Sequence, residues 1–190
     1  MNLLIKIYLD DINPYDLSQL LDVLNKNIVQ KASTKIYLMS NDLSFEFENY
    51  NFTYLNKISI PQMINYKLNE LDWDIVLPII RPCITTYGFD SKIKSTYSEN
   101  FTDLDGCLWL NDGEQNDIIK YPVVGRNYYN RFGYLYNPAY NKKYFEEEFT
   151  DVLKLNKFYV VDKVLIKTLI LKSDDDNIYE LRKKFNFGLL

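Results

Sequence analysis

The chain has 190 residues, 47% of them hydrophobic and 25% charged, which suits one folded domain with its own core. Its net charge of −4, with no stretch that concentrates Lys and Arg, argues against nucleic acid as a partner, because such binding draws on neutralised phosphates. The lack of any histidine removes the usual general base, the Ser–His and Cys–His pairs and the commonest zinc ligand, so acid–base chemistry must run on carboxylates, Tyr or Lys.

Asn2 to Leu9 reads as a buried first strand that stops at Asp10–Asp11. Its apolar run is interrupted by Lys6, is too short to span a membrane and carries no cleavage-site pattern, so the protein is read as soluble and without a targeting segment. Asn13 as N-cap and Pro14 at the first helical position open an amphipathic helix carried by Leu17, Leu20, Leu21, Leu24 and Ile28. Thr34 to Met39 is a second strand, and this strand–helix–strand opening predicts an open parallel sheet. The alternating stretch from Ser44 to Leu55 predicts a short edge strand or a loop. Ser59, with Pro61 two residues on, starts a helix through Met63, Ile64, Leu68 and Leu71. The continuous run IVLPII from Ile75 is typical of a strand buried on both faces, and it breaks at Arg81-Pro82. A helix from Asp90 to about Glu99, a strand CLWLN from Cys107 and a turn at Asn111-Asp112-Gly113 follow. Then come a strand from Ile118 to Val124, a short helix RNYYNRF after Gly125, a helix from Tyr144 to Leu153, strand-like sequence from Phe158 to Leu171, and a polar helix from Asn177 to Lys184. No repeat, linker or low-complexity segment interrupts residues 1–190, which are read as a single domain. Cys83 and Cys107 lie far apart and read as reduced thiols.

From Trp73 onward the order of motifs resembles a group of small family-two-like glycosyltransferases of viruses and bacteria. The matching pieces are WDIVLP at Trp73, GFDSKI at Gly88, FTDLDGCLWLNDG at Phe101, VVGRNYYNRFGYLYNPAY at Val123 and EEEFTDV at Glu146. The resemblance covers roughly residues 58 to 170 and implies the GT-A, or nucleotide-diphosphosugar transferase, fold: an α/β domain with an open, mostly parallel sheet flanked by helices. It further implies a sugar nucleotide lying across the carboxyl ends of the strands, as ligands do in open α/β sheets. In such enzymes an acidic pair ending the strand that begins WDI holds a divalent cation on the diphosphate.

The chain departs from that pattern. Where the family reads Ser-Asp-Asp-Met, this sequence has Ile80-Arg81-Pro82-Cys83. Asp10-Asp11 replaces an Arg-containing loop, the expected metal-binding histidine falls near Lys167-Thr168, and an Asp-Asn-Glu segment becomes Glu146-Glu147-Glu148. The resemblance with these departures implies no metal cofactor.

Candidate residues carry two readings each. Glu146, Glu148 and Asp151 include a base for an acceptor hydroxyl, or form a solvated acidic first turn favoured by the helix dipole. Arg81 holds a phosphate in place of the cation, or makes a structural ion pair. Arg126 carries the same two readings, with the helix start after Gly125 as an anion site. Asp112 and Gly113 bind a sugar hydroxyl or form an ordinary turn, and Trp109 stacks on a sugar or fills the core. Among the 17 tyrosines, Tyr128, Tyr129, Tyr134, Tyr136, Tyr140 and Tyr144 cluster as a partner-binding surface or as a core wall.

Three functions follow. The first is a glycosyltransferase-like binding or structural module that has lost metal-dependent catalysis, with a sugar nucleotide or glycan as ligand. The second is an active, metal-independent inverting glycosyltransferase. The third is a protein adaptor using the tyrosine-rich face. The Asn-, Lys-, Ile- and Tyr-rich composition suggests an AT-rich genome, that of a virus, such as a phage, or of an AT-rich bacterium. The expected location is the cytoplasm, in keeping with reduced thiols, or a virus particle if the source is viral.

Overall fold

In the computed structural model, residues 1–9, 14–41, 50–114 and 117–168 are described. Strand β1 (Leu3–Tyr8) is buried along its whole length, and helix α1 (Pro14–Asn27) returns over one face with Leu17, Leu20, Leu21 and Leu24 inward. A short 3₁₀ turn (Lys31–Ser33) leads into β2 (Thr34–Ser40), and β3 (Asn51–Tyr54) lies outside it. Helix α2 (Ile60–Asn65) starts with the full capping box: the Ser59 side chain accepts from Gln62 N, and the Gln62 side chain accepts from Ser59 N. Then follow β4 (Ile75–Ile79), β5 (Cys83–Thr85), α3 (Phe89–Asn100), β6 (Cys107–Leu110), β7 (Pro122–Gly125), α4 (Arg126–Phe132), α5 (Phe145–Lys154), β8 (Phe158–Val161) and β9 (Ile166–Thr168).

The main sheet has the order β3-β2-β1-β4-β7-β6-β8. Strands β1, β2, β3 and β4 are parallel, as are β6 and β8, and β7 is antiparallel to both of its neighbours. Alternation sorts the side chains of each strand between two faces. Leu3, Ile5, Ile7, Ile75, Leu77, Ile79, Leu108 and Val123 meet α1 and α3 on one face. Leu4, Tyr8, Val76, Cys107 and Val124 meet α2, α4 and α5 on the other. The result is a three-layer α/β/α arrangement, which confirms the open, mostly parallel sheet expected from the sequence. Among the described residues no helix is long and apolar enough to cross a membrane.

Several boundaries differ from the sequence reading. The helix from Ser59 ends at Asn65, and Leu68 and Leu71 are held in turns beyond it. The stretch from Phe158 splits in two: β8 joins the main sheet, while β9 pairs antiparallel with β5 in a separate two-stranded sheet. Asp10–Asp11, Asn13, the first part of the Ser44–Leu55 stretch and the Asn177–Lys184 helix lie outside the described residues.

Candidate functional site

All strands of the main sheet except β7 run in one direction, so their carboxyl ends share one edge. That edge carries Arg81 after β4, Asn111 to Glu114 after β6, and Lys120 and Tyr121 before β7. The small β5–β9 sheet packs beside it, since β5 leaves β4 after three residues and Tyr121 contacts β9.

The turn after β6 is built by its own side chains. Asn111 Oδ1 accepts from Gly113 N at 2.8 Å, and Asp112 Oδ1 accepts from Glu114 N at 3.1 Å. Gly113 has φ of +83°, a conformation that favours glycine. Asp112 is buried, and its other oxygen meets Lys120 Nζ at 3.2 Å and accepts from Thr168 Oγ1 at 3.3 Å. Thr168 in turn lies 3.1 Å from the Tyr121 hydroxyl. Lys120 also pairs with Glu114. The sequence reading picked out Asp112 and Gly113 and noted Lys167-Thr168 only as the place of an expected metal ligand; it missed Lys120, which pairs with Asp112, and Tyr121, which reaches Thr168.

Arg81 and Glu146 form a half-buried ion pair between the end of β4 and the first turn of α5. Burial works against the Arg81 charge, but the Glu146 carboxylate outweighs it and holds the guanidinium above its usual pKa. For Glu146 burial is the largest influence and raises the carboxyl pKa, with Arg81 opposing it. Glu146 Oε1 and the Tyr136 hydroxyl are buried and have no hydrogen-bond partner among the described residues. The three carboxylates of the sequence reading are therefore not equivalent. Glu148 points elsewhere, accepting from Asn137 Nδ2 at 3.1 and 3.3 Å, and Asp151 is exposed. Replacing Arg81 with Met should leave Glu146 as an unpaired, half-buried acid and cost about 1–3 kcal/mol in urea unfolding. Arg81→Met/Glu146→Gln should recover most of that loss. A double variant no more stable than the single one would show that the pair does not carry the effect.

The residues where the family resemblance places a divalent cation do not fit one. Arg81 sets a positive charge there, Pro82 offers no side-chain ligand, and Cys83 is buried in the core, where burial pushes its thiol up to about 12. Cations of that kind take several oxygen ligands.

Gly125 and Arg126 sit at the opposite edge of the sheet, because β7 runs antiparallel. Arg126 donates to the carbonyls of Leu68 and Leu71 at 2.8 and 2.6 Å, and its guanidinium stacks 4.1 Å from the Trp73 ring centroid. These contacts tie α4 to the chain before β4. They leave Arg126 well away from Asp112. Of the tyrosine cluster, Tyr128, Tyr129 and Tyr136 are buried, and Tyr136 packs edge-on against Phe145 and Phe149. Tyr144 is exposed. Trp109 is half-buried at the edge of the second core layer, its ring centroid 6.3 Å from that of Phe158.

No protein-family model and no curated protein matches the sequence. Solved structures match over nearly its whole length. S. aureus TarS 1–349 does so with a TM-score of 0.70 at 12% identity, covering 97% of this chain and 64% of that one. The same TarS fragment in complex with UDP gives 0.71 at 12%, covering 96% and 64%. The mannosyltransferase PcManGT from Pyrobaculum calidifontis, in complex with GDP-Man and Mn²⁺, gives 0.68 at 7%, covering 96% and 60%. The chain thus spans less than two thirds of each of these structures. At such identities the likeness is one of fold, and the fold of this chain is that of the GT-A-type glycosyltransferases.

Proposed function

We propose that the protein is a glycosyltransferase-fold binding or structural module that takes a sugar nucleotide or glycan at the carboxyl edge of its sheet and has lost metal-dependent transfer. The observation that carries this reading is the Arg81–Glu146 pair. It sets a guanidinium where the resemblance implies cation ligands, and it ties up the carboxylate nearest to that point. A guanidinium recognises phosphate oxygens by itself, so binding does not require the cation. UDP, UDP-GlcNAc and GDP-Man are the ligands bound by the structural neighbours, which supports this ligand class.

A second reading, a metal-independent inverting transferase, rests on one observation. Glu146 keeps a buried oxygen without a hydrogen-bond partner among the described residues, and burial raises its pKa, as suits a general base.

A thermal-shift screen with UDP, UDP-GlcNAc and GDP-mannose, with and without manganese, followed by a transfer assay, separates the two. A ligand at 100 times its Kd stabilises by about 2.7 kcal/mol, or about 5–10 °C for a domain of this size. The expected result is a shift that manganese leaves unchanged, with no sugar transferred. A shift that requires manganese would overturn the proposal. Turnover that Glu146→Gln abolishes would replace it with the second reading.

A further inference from the structure

In the helical layer over the second face of the sheet, α4, α5 and the loop between them enclose a small pocket of about 50 Å³. Four aromatic residues line it, Tyr128 and Phe132 from α4, Tyr134 from the loop and Phe149 from α5, together with Asn137 and Glu148. The rings are tilted against one another. Between centroids, Tyr128 lies 5.3 Å from Phe132 and 6.5 Å from Phe149, and Phe132 lies 6.4 Å from Tyr134. Tyr128 and Phe149 are buried, whereas Phe132, Tyr134 and Glu148 are half-buried, so the pocket opens on their side.

The charge in this pocket is one-sided. Both carboxylate oxygens of Glu148 accept from Asn137 Nδ2, at 3.1 and 3.3 Å, and Glu148 also bonds the Tyr140 hydroxyl, whose pKa it raises. Asn137 is itself fixed by Ala139 N, which donates to its Oδ1 at 3.1 Å. These partners are neutral, and among the described residues no lysine or arginine pairs with Glu148. Arg131 stacks on Tyr128 and Phe132, 4.8 and 5.6 Å from their centroids, but its charge is met by Asp105 at 3.0 Å. A positioned carboxylate and the negative faces of the rings both attract a cation. The aromatic wall then selects among cations. A primary ammonium or a guanidinium brings several N–H donors, and the rings offer poor acceptors to replace its lost water. A quaternary ammonium has no N–H to satisfy, and its methyl groups pack on the rings. The volume is far below the roughly 300 Å³ at which sites for drug-sized ligands begin, so the pocket takes one end of a molecule rather than a whole sugar nucleotide. It is also turned away from Arg81. Successive helix residues rotate by about 100°, which puts Glu148 about 200° round α5 from Glu146, the partner of Arg81.

We propose that this pocket binds the quaternary ammonium head of a small, choline-like molecule, independently of any sugar nucleotide.

Titration of the full chain with choline and with tetramethylammonium, at constant ionic strength, tests it. Binding is read by saturation-transfer NMR of their methyl protons. Dimethylbutanol, the uncharged carbon isostere of choline, and ammonium chloride are the controls. Both quaternary cations should bind saturably, and both controls about tenfold or more weakly than choline. Glu148→Gln, which keeps the shape of the side chain, should weaken choline about fivefold or more. Phe132→Leu, which keeps an apolar wall without the ring, should weaken it about threefold or more. Glu148 is half-buried and pairs only with neutral groups, so its variant is expected to fold, and the dimethylbutanol control needs no variant at all. The proposal is overturned if neither quaternary cation binds saturably, if dimethylbutanol or ammonium binds as tightly as choline, or if Glu148→Gln leaves choline binding unchanged.

Discussion

Gly125→Ala is expected to cost about 3 kcal/mol of folding stability, read as a fall in the urea midpoint with an unchanged slope. The backbone there has φ of −81° and ψ of 156°, which any residue adopts, so the cost comes from space alone. A Cβ built at Gly125 would lie 2.1 Å from the Tyr97 hydroxyl and 2.2 Å from the Leu104 carbonyl oxygen. Neither neighbour is free to retreat. Tyr97 is fully buried in α3 and donates to the Gly106 carbonyl at 2.7 Å. The Leu104 carbonyl accepts from Asn127 N and Tyr128 N at 3.1 and 3.2 Å, in the first turn of α4. Adding one methyl group therefore forces α3, the turn after it and α4 apart together. Combining Gly125→Ala with Tyr97→Phe should recover only part of the loss, since the Leu104 carbonyl stays. Full recovery, or a cost below about 1 kcal/mol for the single variant, would refute this packing account.

Lys6→Met should cost about 1–3 kcal/mol at neutral pH, because it strips the partners from buried carbonyls. Lys6 is completely buried in the middle of β1, where its ammonium donates to the carbonyls of Ile64 and Tyr66 at 2.7 and 2.6 Å and lies 3.5 Å from that of Met63. The Met63 carbonyl already accepts from Tyr66 N, but those of Ile64 and Tyr66 lie at the end of α2, so a strand side chain serves as the helix's C-terminal cap. Burial pushes the Lys6 pKa down to about 7 from 10.5. Between those values the unfolded chain keeps a proton that the folded chain has released. The unfolded state then binds more protons, and this group's contribution raises stability as pH climbs through that window. The variant lacks that contribution, so the cost of Lys6→Met should grow between about pH 7 and pH 9 in paired urea titrations. A cost that stays flat or shrinks would contradict the assignment.

The parts of this molecule that could be read from the sequence are those whose causes are local. IVLPII reads as a central strand because both of its faces are apolar, and Ser59 with Pro61 announces a helix start within three residues. The helix RNYYNRF and the turn at Asn111 to Gly113 were legible for the same reason. What escaped depends on partners far along the chain. Lys6 looks like an interruption of its strand until α2, some sixty residues later, supplies the carbonyls. β5 is only three residues long and is a strand because Ile166–Thr168 comes to lie beside it. At the candidate site, Arg81 and Glu146 were each legible as charged residues in suggestive places. Nothing in the sequence showed that they bind each other. Arg126 offered a cation beside a helix start, and its attachment to Leu68, Leu71 and Trp73 appeared only in three dimensions.

The reversal of β7 has a consequence for how such a chain can change over time. The strand has four residues, about 13 Å of extended backbone. It carries the chain from Lys120 and Tyr121, in the loop beside the Asp112 turn, to the crowded junction at Gly125. Contact groups that far apart, with no shared partner, respond to substitution independently. Drift in the loop therefore leaves the junction of α3 and α4 untouched, and the protein can acquire a new ligand without reopening the question of how it folds.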